Sequence, residues 1–278
     1  VKYRFLGFFG SVTLVLGAIA LTVPARSQNI SVEVKRWLEI TRLRGNVLFL
    51  SPQQRPAQIG DRLQTPGQGA ITSPRSYAIL LLDTQIGRIH VAENSDLRVK
   101  SLTITPSNGR VTLLEVLKGQ ARLLVRRFTN PDSRLELETP AGVIGVRGTE
   151  FGVGVGPNGK TNLATLEGTV TASAQGQTVQ VEKGFASSIV PGEPPTPPRL
   201  LTNDLRLKVI RLARNSLGTL EFQAQVDPFN LVWVNDRPVD VNKEGYIQAS
   251  LPLPTSFLVR VRVQSPLGQD IAYTLLVR

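Results

Sequence analysis

Between Leu135 and Ala172 apolar residues alternate with polar ones, and partway along the stretch the alternation changes step. Ile144 and Val146 sit at even positions, whereas Phe151, Val153 and Val155 sit at odd ones. Successive side chains of a strand point to opposite faces, so a chain keeping one face buried must slip by one residue between the two sets. Gly148 is the natural place for the slip, because a residue without a side chain accepts the angles of a bulge or sharp bend. The segment Gly145–Phe151 therefore reads as a distorted strand that re-aims Arg147 and Glu150. Turn chemistry at Thr139-Pro140-Ala141-Gly142 and at Gly156-Pro157-Asn158-Gly159 separates three candidate strands able to share one buried face.

The same strand logic extends along the chain. Leu38/Ile40 and Val47/Phe49 continue an alternation begun at Val32/Val34, and Tyr77–Val91 reads as a core hairpin turning near Asp83-Thr84-Gln85. Val111–Phe128 has the composition of an amphipathic helix, but Gly119 in its middle costs about 1 kcal/mol relative to Ala in a helix. Strand, kink, strand fits its Val/Leu alternation better. Leu43-Arg44-Gly45-Asn46-Val47, Leu117-Lys118-Gly119-Gln120-Ala121 and Leu166-Glu167-Gly168-Thr169-Val170 share Leu-x-Gly-x-(Val/Ala) at unequal intervals. The spacing argues against a strict solenoid and for kinked strands recurring in two packed sheets or a roll. Sparse aromatics (6%) with 24 Gly and 19 Pro favour many short strands and turns.

The run AGVIGVRGTEF, followed by the strand ending Leu166-Glu167-Gly168-Thr169-Val170, resembles the signature of the FecR family's periplasmic domain. The resemblance extends from about Gly45 to Val190. It implies an all-β extracytoplasmic module, best known from regulators that relay an outer-membrane receptor's state to a cytoplasmic sigma factor. On this resemblance Arg147, Gly148, Thr149, Glu150, Phe151, Glu167 and Gly168 are the motif residues, with a structural or partner-binding role. Arg147 and Glu150 either close an ion pair or cap backbone groups at the bulge, or are presented by the kink to a partner.

The expected organisation is an N-terminal segment and two all-β domains. Lys2 and Arg4 precede an uncharged run from Phe5 to Ala25, with small residues at Ala25 and Ser27. Residues 1–27 thus form a signal peptide or an uncleaved membrane anchor, and the chain beyond is exported to the periplasm or outside the cell, or held at the inner membrane. Residues 28–190 form the FecR-like β-sandwich or roll, and the proline-rich segment 191–200 is the linker. Residues 201–278 form a small Ig-like β-sandwich, closed by a hairpin setting Phe257, Val259, Val261 and Val263 against Ile271, Tyr273, Leu275 and Val277. Arg260 and Arg262 point away from its buried side. The run VWVNDRPVDVNKEGYIQASLPL is similar to Ig-like add-on domains of exported bacterial proteins, although Asp236 stands where those carry glycine.

Composition excludes several chemistries. There is no cysteine and a single histidine, so disulfides, thiolate sites, a cysteine nucleophile and a multi-histidine zinc site are out of reach. Glu136 and Glu138 share a strand face, with Glu150 a candidate neighbour, and paired carboxylates are the apparatus of glycoside hydrolysis. Alternating Leu and Glu is also the ordinary pattern of a half-buried strand, which is the preferred reading. Gly152-x-Gly154-x-Gly156 lacks the strand-to-helix setting of a nucleotide loop. His90, between Ile89 and Val91, is a polar-face strand residue with no nucleophile partner in sequence. No catalytic residue, cofactor or metal is expected.

The net charge of +11 comes from 32 basic and 21 acidic residues spread along the chain. Lys118, Arg122, Arg126 and Arg127 form a local basic patch, read as a solvated or edge-protecting face or as an anion or glycan contact. Without a binding motif or aromatic platform, and with export, nucleic acid is not an expected partner. The membrane is a partner only through the N-terminal segment if it stays uncleaved. The expected function is a non-catalytic envelope module for protein recognition, in sensing or assembly, without a sigma-regulating cytoplasmic domain of its own. The alternative is an accessory protein binding acidic envelope polysaccharide.

Overall fold

Gly148 marks a change of sheet, and what the sequence presents as one distorted strand is two strands lying in two facing sheets. The computed structural model describes residues 35–214, 218–252 and 257–277. The expected leader over 1–27 and the Val32/Val34 alternation lie outside the described residues. Within them the regular structure is all strand.

The described residues open on β1 (Leu38–Arg44) in sheet I, pass Gly45 into β2 (Val47–Leu50) and β3 (Arg55–Pro56) of sheet II, and touch sheet I in β4 (Arg62–Leu63) before β5 (Gly69–Thr72) of sheet II. The hairpin β6 (Tyr77–Leu82) and β7 (Gly87–Val91) follows in sheet I, then β8 (Asp96–Ile104) in sheet II and the long β9 (Arg110–Val125), which belongs to both. Next come β10 (Arg134–Glu138) and β11 (Val143–Val146) in sheet II, and β12 (Glu150–Val155) and β13 (Thr161–Glu167) in sheet I. β14 (Thr169–Ala174) and β15 (Gln177–Glu182) lie in sheet II, and β16 (Phe185–Ile189) and β17 (Arg199–Leu200) in sheet I. Side by side, sheet I runs β4-β1-β6-β7-β9-β12-β13-β16-β17. Sheet II runs β3-β2-β5-β8-β9-β10-β11-β14-β15, and only the β9–β10 pairing is parallel.

The apolar parity flips at each glycine corner. Leu38 and Ile40 are buried before Gly45, Val47 and Phe49 after it; Leu114 and Val116 before Gly119, Ala121 and Leu123 after it. Ile144 and Val146 give way to Phe151 and Val153 across Gly148, and Leu163 to Val170 and Ala172 across Gly168. A strand that crosses to the opposite sheet must present its other side to the shared interior, so the flip follows from period-two geometry. The corner glycines have φ of +75°, +82°, +114° and +76°, a region that side-chain-bearing residues avoid. Three of them are the glycines of the Leu-x-Gly repeat. Fully burying a Leu or Phe contributes roughly 1.5–3 kcal/mol, so a one-residue slip that turned a strand's apolar set outward would forfeit several such terms.

A charged group is buried where the described chain begins. Arg36 donates from Nε and one terminal nitrogen to Asp83 Oδ2 at 3.1 and 3.0 Å, and to the carbonyls of Thr103 and Val111 and the hydroxyl of Thr112. The Trp37 amide donates to Asp83 Oδ1, and Arg110 reaches Asp83 Oδ2 at 3.3 Å. Burial lowers the Arg36 pKa from its usual value and Asp83 works against that shift. The clasp holds β1 to the turn of the β6–β7 hairpin and to the β8–β9 pair.

The second lobe contains β18 (Lys208–Arg214), β19 (Thr219–Gln225), β20 (Leu231–Val234), β21 (Arg237–Val239), β22 (Tyr246–Pro252), β23 (Leu258–Gln264) and β24 (Asp270–Leu276). Sheet III is β18-β19-β22 and sheet IV is β21-β20-β23-β24, the partition of strands seen in Greek-key sandwiches. Val259, Val261 and Val263 pair with Leu275, Tyr273 and Ile271. Asn235 and Asp236 make the β20–β21 turn with φ of +50° and +62°, so Asp236 takes up the conformation that glycine would adopt more readily. Phe222, Val232, Val234, Val259 and Val261 belong to a core separate from that of the first lobe.

Lys35–Arg278 is nonetheless one compact unit. β12, β13 and β16 offer the second lobe a floor of small residues: Ala164 and Ala186 pack with Phe229 and Leu267, and Gly154 lies against Leu231. A Cβ on Gly152 would overlap the carbonyl of Pro266. Gln120 Nε2 donates to the Ser265 carbonyl at 2.6 Å, and Arg262 lies over the Trp233 ring at 4.3 Å while pairing with Glu93. Arg262 thus leaves the lobe's own core, as its parity requires, yet it is enclosed by the other lobe. The proline-rich segment is laid back along β16, with the Thr196 amide donating to Ser188 O and the Ser187 hydroxyl to Thr196 O.

Candidate functional site

The β11–β12 and β13–β14 crossings meet at one corner of the first lobe, against the end of β9. The Val125 amide donates to Thr149 O at 2.9 Å, and a Cβ on Gly148 would collide with the backbone of Arg127. A Cβ on Gly168 would likewise press on Gly148 O and Thr149. The two halves of the motif therefore interlock through glycine backbones, while Phe151 is fully buried beneath them. Thr149 is buried too, and its hydroxyl has no hydrogen-bond partner among the described residues.

Charge at this corner divides into paired and unpaired groups. Glu150 accepts from Arg122 Nε at 3.0 Å, so of the alternatives for Arg147 and Glu150 the ion pair between them does not form. The reason is geometric: Arg147 lies in the bend just past the sheet II strand β11, whereas Glu150 opens the sheet I strand beside β9, on the outer face that Arg122 shares. Glu167 stands opposite Glu150 in the β12–β13 ladder and is exposed. Arg126, Arg127 and Arg147 are exposed as well, and none of these four has an ion pair among the described residues. Arg126 and Arg127 also line a recess of about 380 Å³ with Arg110, Asn108, Asn130 and Ser133.

Lys118 is not part of this group. It lies across the Gly119 corner from Arg122 and Arg126, opposite Asp96 in sheet II whereas Arg122 stands opposite His90 in sheet I. It lines instead a cleft of about 460 Å³ between the lobes, with Asn94, Trp233, Asp236 and Pro238. The basic patch expected from sequence thus resolves into an interlobe lysine, an arginine neutralised by Glu150, and two arginines at the corner.

Residues 71–171, which include three of the four crossings and both halves of the motif, match the family model described as FecR protein. Over those residues the chain carries a FecR domain. Among curated proteins no relative matches the chain. A Parabacteroides distasonis ATCC 8503 protein assigned as an anti-sigma factor, with a crystal structure at 2.50 Å, shares 13% identity, covering 47% of this chain and 57% of its own, with a TM-score of 0.39. A second crystal structure, also assigned as an anti-sigma factor from that organism and determined at 1.65 Å, shares 14% identity over 41% of this chain and 51% of its own, with a TM-score of 0.34. A polysaccharide lyase shares 9% identity over 88% of this chain and 39% of its own, with a TM-score of 0.20. The chain spans just over half the length of the two anti-sigma structures.

Elsewhere in the FecR domain the candidate chemistries come apart. Glu136 pairs with Arg134 and Glu138 with Lys100 on the outside of sheet II, whereas Glu150 projects from sheet I, so the three carboxylates do not share a site. Gly152 and Gly154 of the glycine run are the seat of the second lobe. His90 lies on the outer face of sheet I with its ring 5.5 Å from that of Tyr77, and desolvation, then the nearby Arg122, lowers its pKa from the usual 6.5. No group of His, Cys, Asp and Glu among the described residues is arranged to hold a metal ion.

Sequence reasoning missed Lys160. Its ammonium is buried and donates to the carbonyls of Pro228, Val241 and Asn242 at 2.8, 3.0 and 3.0 Å, with no carboxylate in contact. Burial lowers its pKa to about 8. A lysine after an Asn-Gly turn reads as an ordinary solvated loop residue, and only the arrival of the second lobe makes it a pin.

Proposed function

We propose that the chain is an exported, non-catalytic recognition module of the cell envelope, and that its FecR domain meets a protein partner through the corner formed by Arg126, Arg127, Arg147 and Glu167. The observation that carries this reading is the mismatch between backbone and side chains there. Two interlocked glycine crossings fix the backbone, yet the charged side chains they hold out have no use inside the fold. A rigid frame presenting unpaired charge lowers the ordering cost of association, and charged rims set partner choice and encounter rate. The apolar segment near the N-terminus supports export.

The recess beside the corner favours a second reading, contact with an acidic envelope polysaccharide, since Arg110, Arg126 and Arg127 line it together with Asn and Ser side chains. Affinity capture from envelope extract at low and high salt, with residues 35–278 as bait, separates the two. A discrete protein recovered at both salts, in smaller amount at the higher one because the corner's charges are exposed and screened, fits the first reading. Polysaccharide alone, released at high salt as screened surface charge requires, refutes it and leaves the second.

A further inference from the structure

The second lobe leaves one side open. Sheets III and IV terminate in β18 and β24, and the Tyr273 hydroxyl on β24 donates to the carbonyl of Leu205, in the segment before β18, at 3.0 Å. Ile271 lies on the core-facing side of β24, paired with buried Val263, and is still 44% exposed; Leu276 on β24 and Val209 and Ile210 on β18 are exposed as well. β24 pairs with β23 along one edge, and no strand among the described residues pairs with the other. Exposed edges are ordinarily guarded by cations, proline or a bulge. β18 follows that rule, with Lys208, Arg211 and Arg214 and a register shift between Val209 and Arg211. β24 reads DIAYTLL, contains no Lys, Arg or Pro, and keeps an unbroken register with β23.

We propose that β24 pairs antiparallel with β24 of a second copy of this chain, about a two-fold axis at Tyr273, so that the two copies of sheet IV become one sheet. In that register Ile271 lies opposite Leu275 of the second copy and covers it in return, and Ala272 lies opposite Thr274. Asp270 falls opposite Leu276 and meets no like charge. Arg260 on β23 would stand three strand spacings from Arg262 of the second copy, roughly 14 Å, beyond the Debye length of about 10 Å at 0.1 M salt. Pairing β18 with itself would instead set Lys208 against Arg214. With no cation along its length, β24 has nothing to select an acidic peptide in place of its own copy. The interface is isologous, as closed two-fold pairs require.

Sedimentation equilibrium on residues 35–278 across the micromolar range tests this, with hydrogen exchange of the β24 amides as a second readout. A monomer–dimer equilibrium is expected, with β24 exchange slowing as concentration rises. Ile271→Lys and Thr274→Lys should each raise the dissociation constant at least about tenfold, or ~1.4 kcal/mol, while Val209→Lys on the other edge leaves it unchanged. Should Ile271→Lys loosen the fold, Thr274→Lys, at an exposed outer position, carries the test. A wild-type chain that stays monomeric throughout, or a dimer indifferent to both β24 variants, overturns the proposal.

Discussion

The seam between the lobes and the corner of the FecR domain handle charge in opposite ways. At the seam the Lys160 ammonium is enclosed by three carbonyls, Arg262 is laid on Trp233 and paired with Glu93, and the floor is cleared of side chains by Gly152, Gly154, Ala164 and Ala186. At the corner the glycines are equally confined, but Arg126, Arg127, Arg147 and Glu167 face solvent. Burial of a charge is costly unless it is matched, so the seam's cations are there for the fold. The corner's charges have no ion pair among the described residues, and that surplus is what the proposed partner contact rests on.

If the corner's backbone is structural while its side chains are not, substitutions there should split into two classes. Gly148→Val should have the largest effect of all. It combines a β-branched side chain at φ +114°, a strain of roughly 1–3 kcal/mol, with overlap of the Arg127 backbone. Loss of roughly 3 kcal/mol or more is expected in urea unfolding. Gly152→Val should follow at roughly 1–3 kcal/mol as overpacking. Because it acts between the lobes, its signature is separation of one calorimetric transition into two. A single sharp transition in that variant would mean that the seam does not hold the lobes together.

Lys160→Met should come next, at roughly 1–3 kcal/mol for buried carbonyls left without a donor. The lysine also carries a pH signature. Its folded pKa, about 8, lies below the ordinary 10.5, so between those values the unfolded chain binds more protons and stability should rise with pH. The rise should vanish in Lys160→Met; unfolding midpoints measured from pH 7 to 11 in both proteins would show it. A falling wild-type profile would mean that the three carbonyls hold the ammonium more strongly than burial opposes it.

Much of the first lobe is legible in the alternation of its residues, and the limit of that legibility is physical. The parity change at Gly148 and the three Leu-x-Gly segments all correspond to crossings, because the period of a strand is written locally. Local alternation cannot say which sheet a strand joins, so one distorted strand was expected where Val143–Val146 and Glu150–Val155 lie in different sheets. The same blindness separates Lys118 from Arg122 and gives Glu150 to Arg122 rather than Arg147. Arg36 and Asp83, far apart in sequence, meet only in the assembled sheets. Leu231–Val234 is buried on both faces because the FecR domain covers one of them, a fact that no reading confined to the second lobe could supply.

The smallest effect on stability should come from the corner's charges. Reversing Arg126 and Arg147 to Glu should change the unfolding free energy by no more than about 0.5 kcal/mol, as for surface substitutions generally. The decisive measurement is therefore made on binding. Residues 35–278, the same chain carrying Arg126→Glu and Arg147→Glu, and a control carrying Lys208→Glu on the far lobe are used in parallel to capture proteins from envelope extract at one moderate salt concentration. The account predicts one protein retained in near-equal amount by wild type and control and lost from the corner variant, with all three baits unfolding alike. Equal retention by the corner variant would contradict it.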